Sequence, residues 1–118
     1  MSKSIYILFT TLLFVSCSSM EVVNDNGIVQ GVTIVQVLDV RTVREVSNGR
    51  IQGAINIDFY ADDFEEQVAA QLNSMKPILV YCKVGGRSSK ASNKMAKLNF
   101  VKVYNLIGGY DAWKTYKD

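Results

Sequence analysis

Residues 78–88 read ILVYCKVGGRS, and this stretch does most to decide the fold. Its first four residues are apolar and predict a buried strand, because short continuous apolar runs are typical of strands covered on both faces. Cys82 stands at the end of that strand, and the glycines that follow predict a tight loop over residues 83–87. Residues 88–98 predict a helix. The stretch therefore predicts a strand, a loop and a helix in direct succession.

Strands and helices alternate along the chain on either side of this stretch. Further strands are predicted at residues 33–40, 54–57 and 102–106. Further helices are predicted at residues 42–46, 62–74 and 110–116. This alternation predicts an α/β fold with a mostly parallel central sheet and helices on both faces. Ligands bind outside the carboxyl ends of the strands in such sheets, and Cys82 is predicted to lie at such an end.

The loop after Cys82 has the composition of an anion cradle. Gly85 and Gly86 can turn backbone N–H groups inward, and the N-terminus of a helix follows them. Such surroundings stabilise a thiolate and lower the pKa of the thiol. Lys83 and Arg87 add positive charge to the same loop. The alternative is an inert core cysteine at a strand end, which the Cys-x-x-Gly-x-Arg-Ser spacing and the strand–loop–helix context disfavour.

The composition excludes several other kinds of chemistry. The chain has 118 residues, enough for one domain, and its apolar content of 48% is that of a globular protein. Its net charge of +2 is too small to indicate nucleic-acid binding, which we do not expect. The absence of histidine excludes Ser-His-Asp and Cys-His catalysis and the usual zinc sites. We expect neither a metal nor an organic cofactor.

The N-terminal segment has the features of a targeting signal. Lys3 precedes an uncharged, mostly apolar run at residues 5–15, which suits a secretory signal peptide and is too short to span a bilayer. The sequence LFVSC at residues 13–17 resembles the lipobox of bacterial lipoproteins. That resemblance implies cleavage before Cys17, lipidation of Cys17 and anchoring in the bacterial cell envelope, as a periplasmic or outer-membrane lipoprotein. Secretion without a lipid and an uncleaved N-terminal anchor are the alternatives.

Four segments, taken in order, resemble the single-domain rhodaneses, which are sulfurtransferases. They are VLDVR at residues 37–41, GRIQGAINI at residues 49–57, CKVGGRS at residues 82–88, and YNLIGG at residues 104–109 with Trp113. Arg50 stands where the family usually has histidine. We therefore expect a signal peptide at residues 1–16, a tether with an abbreviated N-terminal element at residues 17–32, and a rhodanese-like domain at residues 33–118.

The resemblance implies a persulfide relay with Cys82 as the catalytic nucleophile. The implied partners are a small anionic sulfur donor such as thiosulfate, a thiol or cyanide acceptor, and, as a further candidate, a protein acceptor. The implied active loop comprises Lys83, Val84, Gly85, Gly86, Arg87 and Ser88. Lys83 would bind the sulfonate end of the donor, and Arg87 would hold the loop closed or pair with the anion. Asp39 and Arg41 would orient loops near the site.

Two other functions compete with sulfur transfer. Phosphatases and arsenate reductases of related fold have five residues between the cysteine and the arginine of the loop, whereas four separate Cys82 from Arg87 here. The shorter loop makes a smaller cradle, which suits a sulfur atom better than a tetrahedral oxyanion. The second alternative is a rhodanese-like binding or sulfur-carrier module without turnover, and the presence of Cys82 argues against its non-catalytic form.

Overall fold

The computed structural model describes residues 28, 29, 32–34 and 36–117. The predicted signal peptide, Cys17 and residues 18–27 of the predicted tether lie outside the described residues. Within the described part of the chain, no helix combines the length and apolarity that crossing a membrane requires. Strands β1 (Ile28–Val29) and β2 (Val32–Thr33) pair antiparallel and form a small separate sheet.

A four-stranded parallel sheet forms the centre of the molecule. Its strands are β3 (Gln36–Asp39), β4 (Ile55–Asn56), β5 (Ile78–Tyr81) and β6 (Val103–Asn105). Their order across the sheet is β4-β3-β5-β6, and every pairing is parallel. The chain leaves β3 toward β4 on one side and then crosses to β5 on the other. The carboxyl ends of β3 and β5 therefore form the switch point where ligands bind in open parallel sheets.

Helices cover both faces of the sheet, which confirms the predicted α/β architecture. They are α1 (Val43–Ser47), α2 (Phe64–Gln71), α3 (Gly86–Lys97) and α4 (Gly109–Lys117). On one face, Phe64 and Val68 of α2 and Met95 of α3 pack against buried residues of β3 and β5. On the other face, Tyr110 and Trp113 of α4 pack against a second buried cluster. This arrangement removes both faces of β5 from water and explains its continuous apolar sequence.

Several predicted element boundaries were wrong. The strand expected at residues 33–40 is divided, because Thr33 pairs with β1 and the strand of the large sheet begins only at Gln36. The helix expected at residues 62–74 spans Phe64–Gln71, and it ends where Leu72 adopts an extended conformation. The helix after the cysteine loop begins at Gly86, two residues earlier than predicted. Three residues assigned to the active loop, Gly86, Arg87 and Ser88, thus form the first turn of α3.

Candidate active site

The Cys82 sulfur lies in a cradle formed by the end of β5 and the start of α3. Cys82 is only 1% exposed. The backbone N–H of Gly85 donates a hydrogen bond to its Sγ at 3.0 Å, and the Ser88 hydroxyl lies 3.4 Å from the same atom. Gly85 has a φ of +118°, a conformation that only glycine adopts readily, and this geometry turns its N–H toward the sulfur. The loop sequence thus creates a site for an anionic sulfur.

The surroundings of Cys82 lower the pKa of its thiol. Burial by itself would raise the pKa, because it penalises the charged thiolate. Hydrogen bonds from the hydroxyl and the backbone N–H of Ser88, and from the N–H groups of Gly85 and Val84, outweigh that effect. The N-terminus of α3 is directed at the same atom and adds a favourable dipole. Cys82 therefore has more thiolate character at neutral pH than an ordinary cysteine.

Arg87 ties the cradle to α1. Its two terminal nitrogens donate to the two carboxylate oxygens of Glu45 at 2.7 and 2.9 Å, which is a bidentate pair. Glu45 also accepts a hydrogen bond from the backbone N–H of Thr42 and completes the capping box of α1. The hydrogen bonds from Arg87 hold the pKa of the Glu45 carboxyl at about 2, below its ordinary value. Arg87 therefore links the first turn of α3 to α1 through Glu45.

The N-terminus of α4 binds the carbonyl groups of the same loop. The N–H of Tyr110 donates to the Cys82 carbonyl at 2.8 Å, and the N–H of Asp111 donates to the Lys83 carbonyl at 3.1 Å. The Lys83 side chain reaches back and forms an ion pair with Asp111, with 2.6 Å between Nζ and Oδ2. With the carbonyl groups of Cys82 and Lys83 bound by α4, the N–H groups that follow are free to face the sulfur.

A buried ion pair lies at the carboxyl ends of β3 and β5. Asp39 and Tyr81 are register partners, and the Tyr81 hydroxyl donates to Asp39 Oδ2 at 2.7 Å. Arg41 donates from Nη2 to the same oxygen at 2.7 Å and from Nε to Oδ1 at 3.0 Å. Asp39 is fully buried and Arg41 is 3% exposed. Although burial opposes the charge of Arg41, hydrogen bonds and attraction from Asp39 hold its pKa above the ordinary value.

This ion pair connects three segments of the fold. Arg41 Nη2 also donates to the carbonyl of Gly49 at 2.7 Å. Its guanidinium lies 4.3 Å from the centre of the Tyr110 ring on α4, a cation–π contact. Tyr110 in turn stacks on Trp113 with 5.9 Å between ring centres. The ion pair is therefore linked to the cysteine loop through Tyr110, whose N–H donates to the Cys82 carbonyl.

The structure places the remaining predicted residues in different environments. The Val84 side chain is exposed, whereas its N–H group contributes to the cradle. Arg50 donates to the carbonyl of Ala54 at 3.3 Å and has a local structural contact. Cys17, the predicted lipidation site, lies outside the described residues. Among the described residues, no cluster of three or more cysteine, aspartate or glutamate side chains could hold a metal ion.

Four residues that contact the site were assigned no role there from the sequence: Glu45, Tyr81, Tyr110 and Asp111. Tyr81 was assigned only to a buried strand, and its hydrogen bond to Asp39 depends on strand pairing that the sequence does not reveal. Tyr110 and Asp111 were assigned only to a terminal helix. The Gly108–Gly109 pair before them was a usable sequence signal for a close backbone approach. A methyl group on Gly109 would collide with the carbonyls of Cys82 and Lys83.

Comparison with known proteins agrees with this architecture. Residues 24–116 match the family of rhodanese-like domains. Thiosulfate sulfurtransferase 16 of Arabidopsis thaliana is 39% identical over 85 residues, which cover 64% of this chain and 71% of that protein. The thiosulfate sulfurtransferase GlpE of Shewanella oneidensis is 32% identical over 79 residues, covering 67% of this chain and 75% of that protein.

A solved structure of similar fold comes from Anabaena. It is a rhodanese-like domain with 30% sequence identity and a TM-score of 0.63, and the match covers 69% of this chain and 91% of that one. The family match, from residue 24 to residue 116, includes the strands of both sheets, the cysteine loop and α4 up to its penultimate residue. The chain belongs to the family of rhodanese-like domains.

Proposed function

We propose that the protein is a sulfurtransferase that moves a sulfane sulfur from an anionic donor such as thiosulfate to a thiol or cyanide through a persulfide on Cys82. The observation that carries this proposal is the hydrogen bond from the Gly85 N–H to Cys82 Sγ at 3.0 Å. A hydrogen-bond donor directed at a buried sulfur stabilises a negative charge there, first on the thiolate and then on the persulfide. The names of the relatives from Arabidopsis and Shewanella support the same reaction class.

In the proposed reaction, the Cys82 thiolate attacks the outer sulfur of thiosulfate. A new S–S bond forms at Cys82, the S–S bond of thiosulfate breaks, and sulfite leaves with the electron pair. The resulting persulfide anion occupies the cradle, within reach of the N–H groups that already face the sulfur. Cyanide or a thiolate then attacks the outer sulfur of the persulfide, and the Cys82 thiolate is regenerated. No proton-transfer residue is needed while Cys82 stays ionised.

The size of the cradle favours sulfur over a larger electrophile. Cys82 is almost completely buried, so a substrate must present a narrow terminal atom to it. Four residues separate Cys82 from Arg87, and the Arg87 guanidinium is already bound by both oxygens of Glu45. A phosphate or arsenate group would need a wider loop with a free guanidinium. These features support sulfur transfer over phosphatase or arsenate-reductase chemistry.

The test is sulfur transfer from thiosulfate to cyanide by the purified full-length protein in detergent. We expect thiocyanate production, and a mass gain of one sulfur atom after exposure to thiosulfate alone. Cys82→Ala should lose both, because no other group replaces the sulfur nucleophile. Hydrolysis of p-nitrophenyl phosphate and reduction of arsenate are measured in parallel, and either activity in place of thiocyanate production would contradict the proposal. A mass gain without turnover would identify a sulfur carrier instead.

We also propose that the chain is anchored in the bacterial envelope by lipid on Cys17. The lipobox-like sequence at residues 13–17 supports this proposal. Labelled palmitate should be incorporated into the protein in bacterial cells and should be lost in Cys17→Ser. Cys82→Ser is the matched control, because it removes the other cysteine and should retain the label. Equal labelling of the wild type and Cys17→Ser would contradict a lipid at this position.

A further inference from the structure

Both cations of the cysteine loop are paired with carboxylates from other elements. Arg87 binds Glu45 of α1, and Lys83 binds Asp111 of α4. The two ion pairs cancel the formal charge of the loop, so its positive residues alone create no net attraction for an anionic donor. An anion that uses one of these side-chain cations beside Cys82 must therefore compete with a carboxylate for it.

The two pairs differ in how readily they can open. Arg87 and Glu45 form two hydrogen bonds, and their side chains are only 20% and 26% exposed. Lys83 and Asp111 form a single contact between side chains that are 56% and 43% exposed. Exposed single-contact pairs are weak and exchange with solvent, whereas bidentate pairs are stronger. Lys83 is therefore the cation from which an anionic sulfur donor can displace the carboxylate.

The backbone keeps Asp111 beside the loop even when the ion pair opens. Its N–H donates to the Lys83 carbonyl, and the preceding N–H of Tyr110 donates to the Cys82 carbonyl. The Asp111 carboxylate is thus a negative charge that the backbone keeps near Lys83, the residue that follows the nucleophile. It opposes an incoming anion in two ways, since it occupies Lys83 and it repels the anion.

We infer that Asp111 determines the charge specificity of the site by competing with anionic donors for the Lys83 ammonium. The inference rests on the proposed function and extends it. A dianionic donor such as thiosulfate must displace the carboxylate, while a neutral reactant meets no such competition. Asp111 weakens the binding of anionic donors relative to neutral reactants and takes no part in the chemical step.

The steady-state test uses Asp111→Asn, which keeps the backbone N–H and removes the charge. We expect the KM for thiosulfate to fall about threefold with kcat almost unchanged, the size expected for one exposed charge in a high-dielectric environment. Lys83→Met should raise KM, and adding Asp111→Asn to it should lower KM less than in the wild type. Glu65→Gln is the matched control, because it removes one carboxylate from the exposed Lys94–Glu65 pair and should leave KM unchanged.

A second measurement does not depend on sulfur transfer. Cys82 is alkylated with iodoacetate, an anion, and with iodoacetamide, which is neutral, and the ratio of the two rates is compared between variants. Asp111→Asn should raise this ratio about threefold through the lost charge, and Glu65→Gln should not. A raised ratio in a protein without thiosulfate activity would support the role of Asp111 while the proposed function fails. An unchanged ratio in Asp111→Asn, or an equal rise in Glu65→Gln, would overturn the inference.

Discussion

Asp39→Asn is expected to lower the free energy of unfolding by about 3–5 kcal/mol, the range for breaking a buried ion pair by removing one partner. The substitution conserves the shape of the side chain but leaves the Arg41 guanidinium charged and 3% exposed without a counter-ion. The Tyr81 hydroxyl also loses a charged acceptor at 2.7 Å. Because Arg41 contacts Gly49 and Tyr110 as well, the substitution should also destabilise the loop at residue 49 and the N-terminus of α4.

Urea unfolding followed by far-UV circular dichroism measures this effect. The control is Glu65→Gln, which breaks an exposed ion pair with 3.6 Å between Lys94 Nζ and Glu65 Oε2. That change should cost at most about 1 kcal/mol, because solvent and salt screen exposed charges. If Asp39→Asn lowers the free energy of unfolding as little as the control does, the buried pair contributes little to stability.

Gly109→Ala is expected to destabilise the protein by about 2–5 kcal/mol and to lower any Cys82-dependent activity about 100-fold. Gly109 has a φ of +64°, which costs a non-glycine residue about 1–2 kcal/mol. A methyl group there would lie 2.7 Å from the Cys82 carbonyl oxygen and closer still to that of Lys83, and such overpacking costs about 1–3 kcal/mol more. Relief of this clash moves α4 away from the loop, and misplacement of a reacting group by about 1 Å can reduce a rate 10²-fold.

Gly53→Ala separates backbone strain from crowding. Gly53 also has a left-handed φ, +84°, but a methyl group built on it meets no atom within 4 Å. Gly53→Ala should therefore cost about 1–2 kcal/mol through strain alone and leave the Cys82 alkylation rate unchanged. Urea unfolding and iodoacetamide alkylation of both variants make the comparison. If both variants lose similar amounts of unfolding free energy and of alkylation rate, contact between α4 and the cysteine loop does not control the reactivity of Cys82.

The type of each helix and of each strand in the large sheet, and their order along the chain, could be predicted because most of them have a clear local signal. The strand before Cys82 is a continuous apolar run, and two glycines follow it. The division of residues 33–40 could not be predicted, because β-branched residues occur on both sides of the break and only the pairing partners differ. Gly86 was placed in the loop since glycine is a poor helix former, whereas it is the first residue of α3.

The residues that surround the Cys82 sulfur could be predicted from a single segment. The contacts that hold this segment in place could not. Cys82, Gly85 and Ser88 lie within seven consecutive residues, so their meeting follows from the strand–loop–helix order. Glu45 reaches Arg87 across 42 positions, and Asp111 reaches Lys83 across 28. Such contacts depend on how separate elements pack. Periodicity and composition describe each element alone, so they carry no information about these pairs.

The bonds from α4 to the carbonyls of Cys82 and Lys83 also impose an order on how the site can assemble. A chain grows from its amino terminus, so β5 and the nucleophile are synthesised before the helix at residues 109–117. A nascent chain that exposes Cys82 therefore lacks the two N–H donors that orient the loop. The activated sulfur should arise only late in biogenesis, which spares an unfinished polypeptide from carrying a fully formed reactive thiolate.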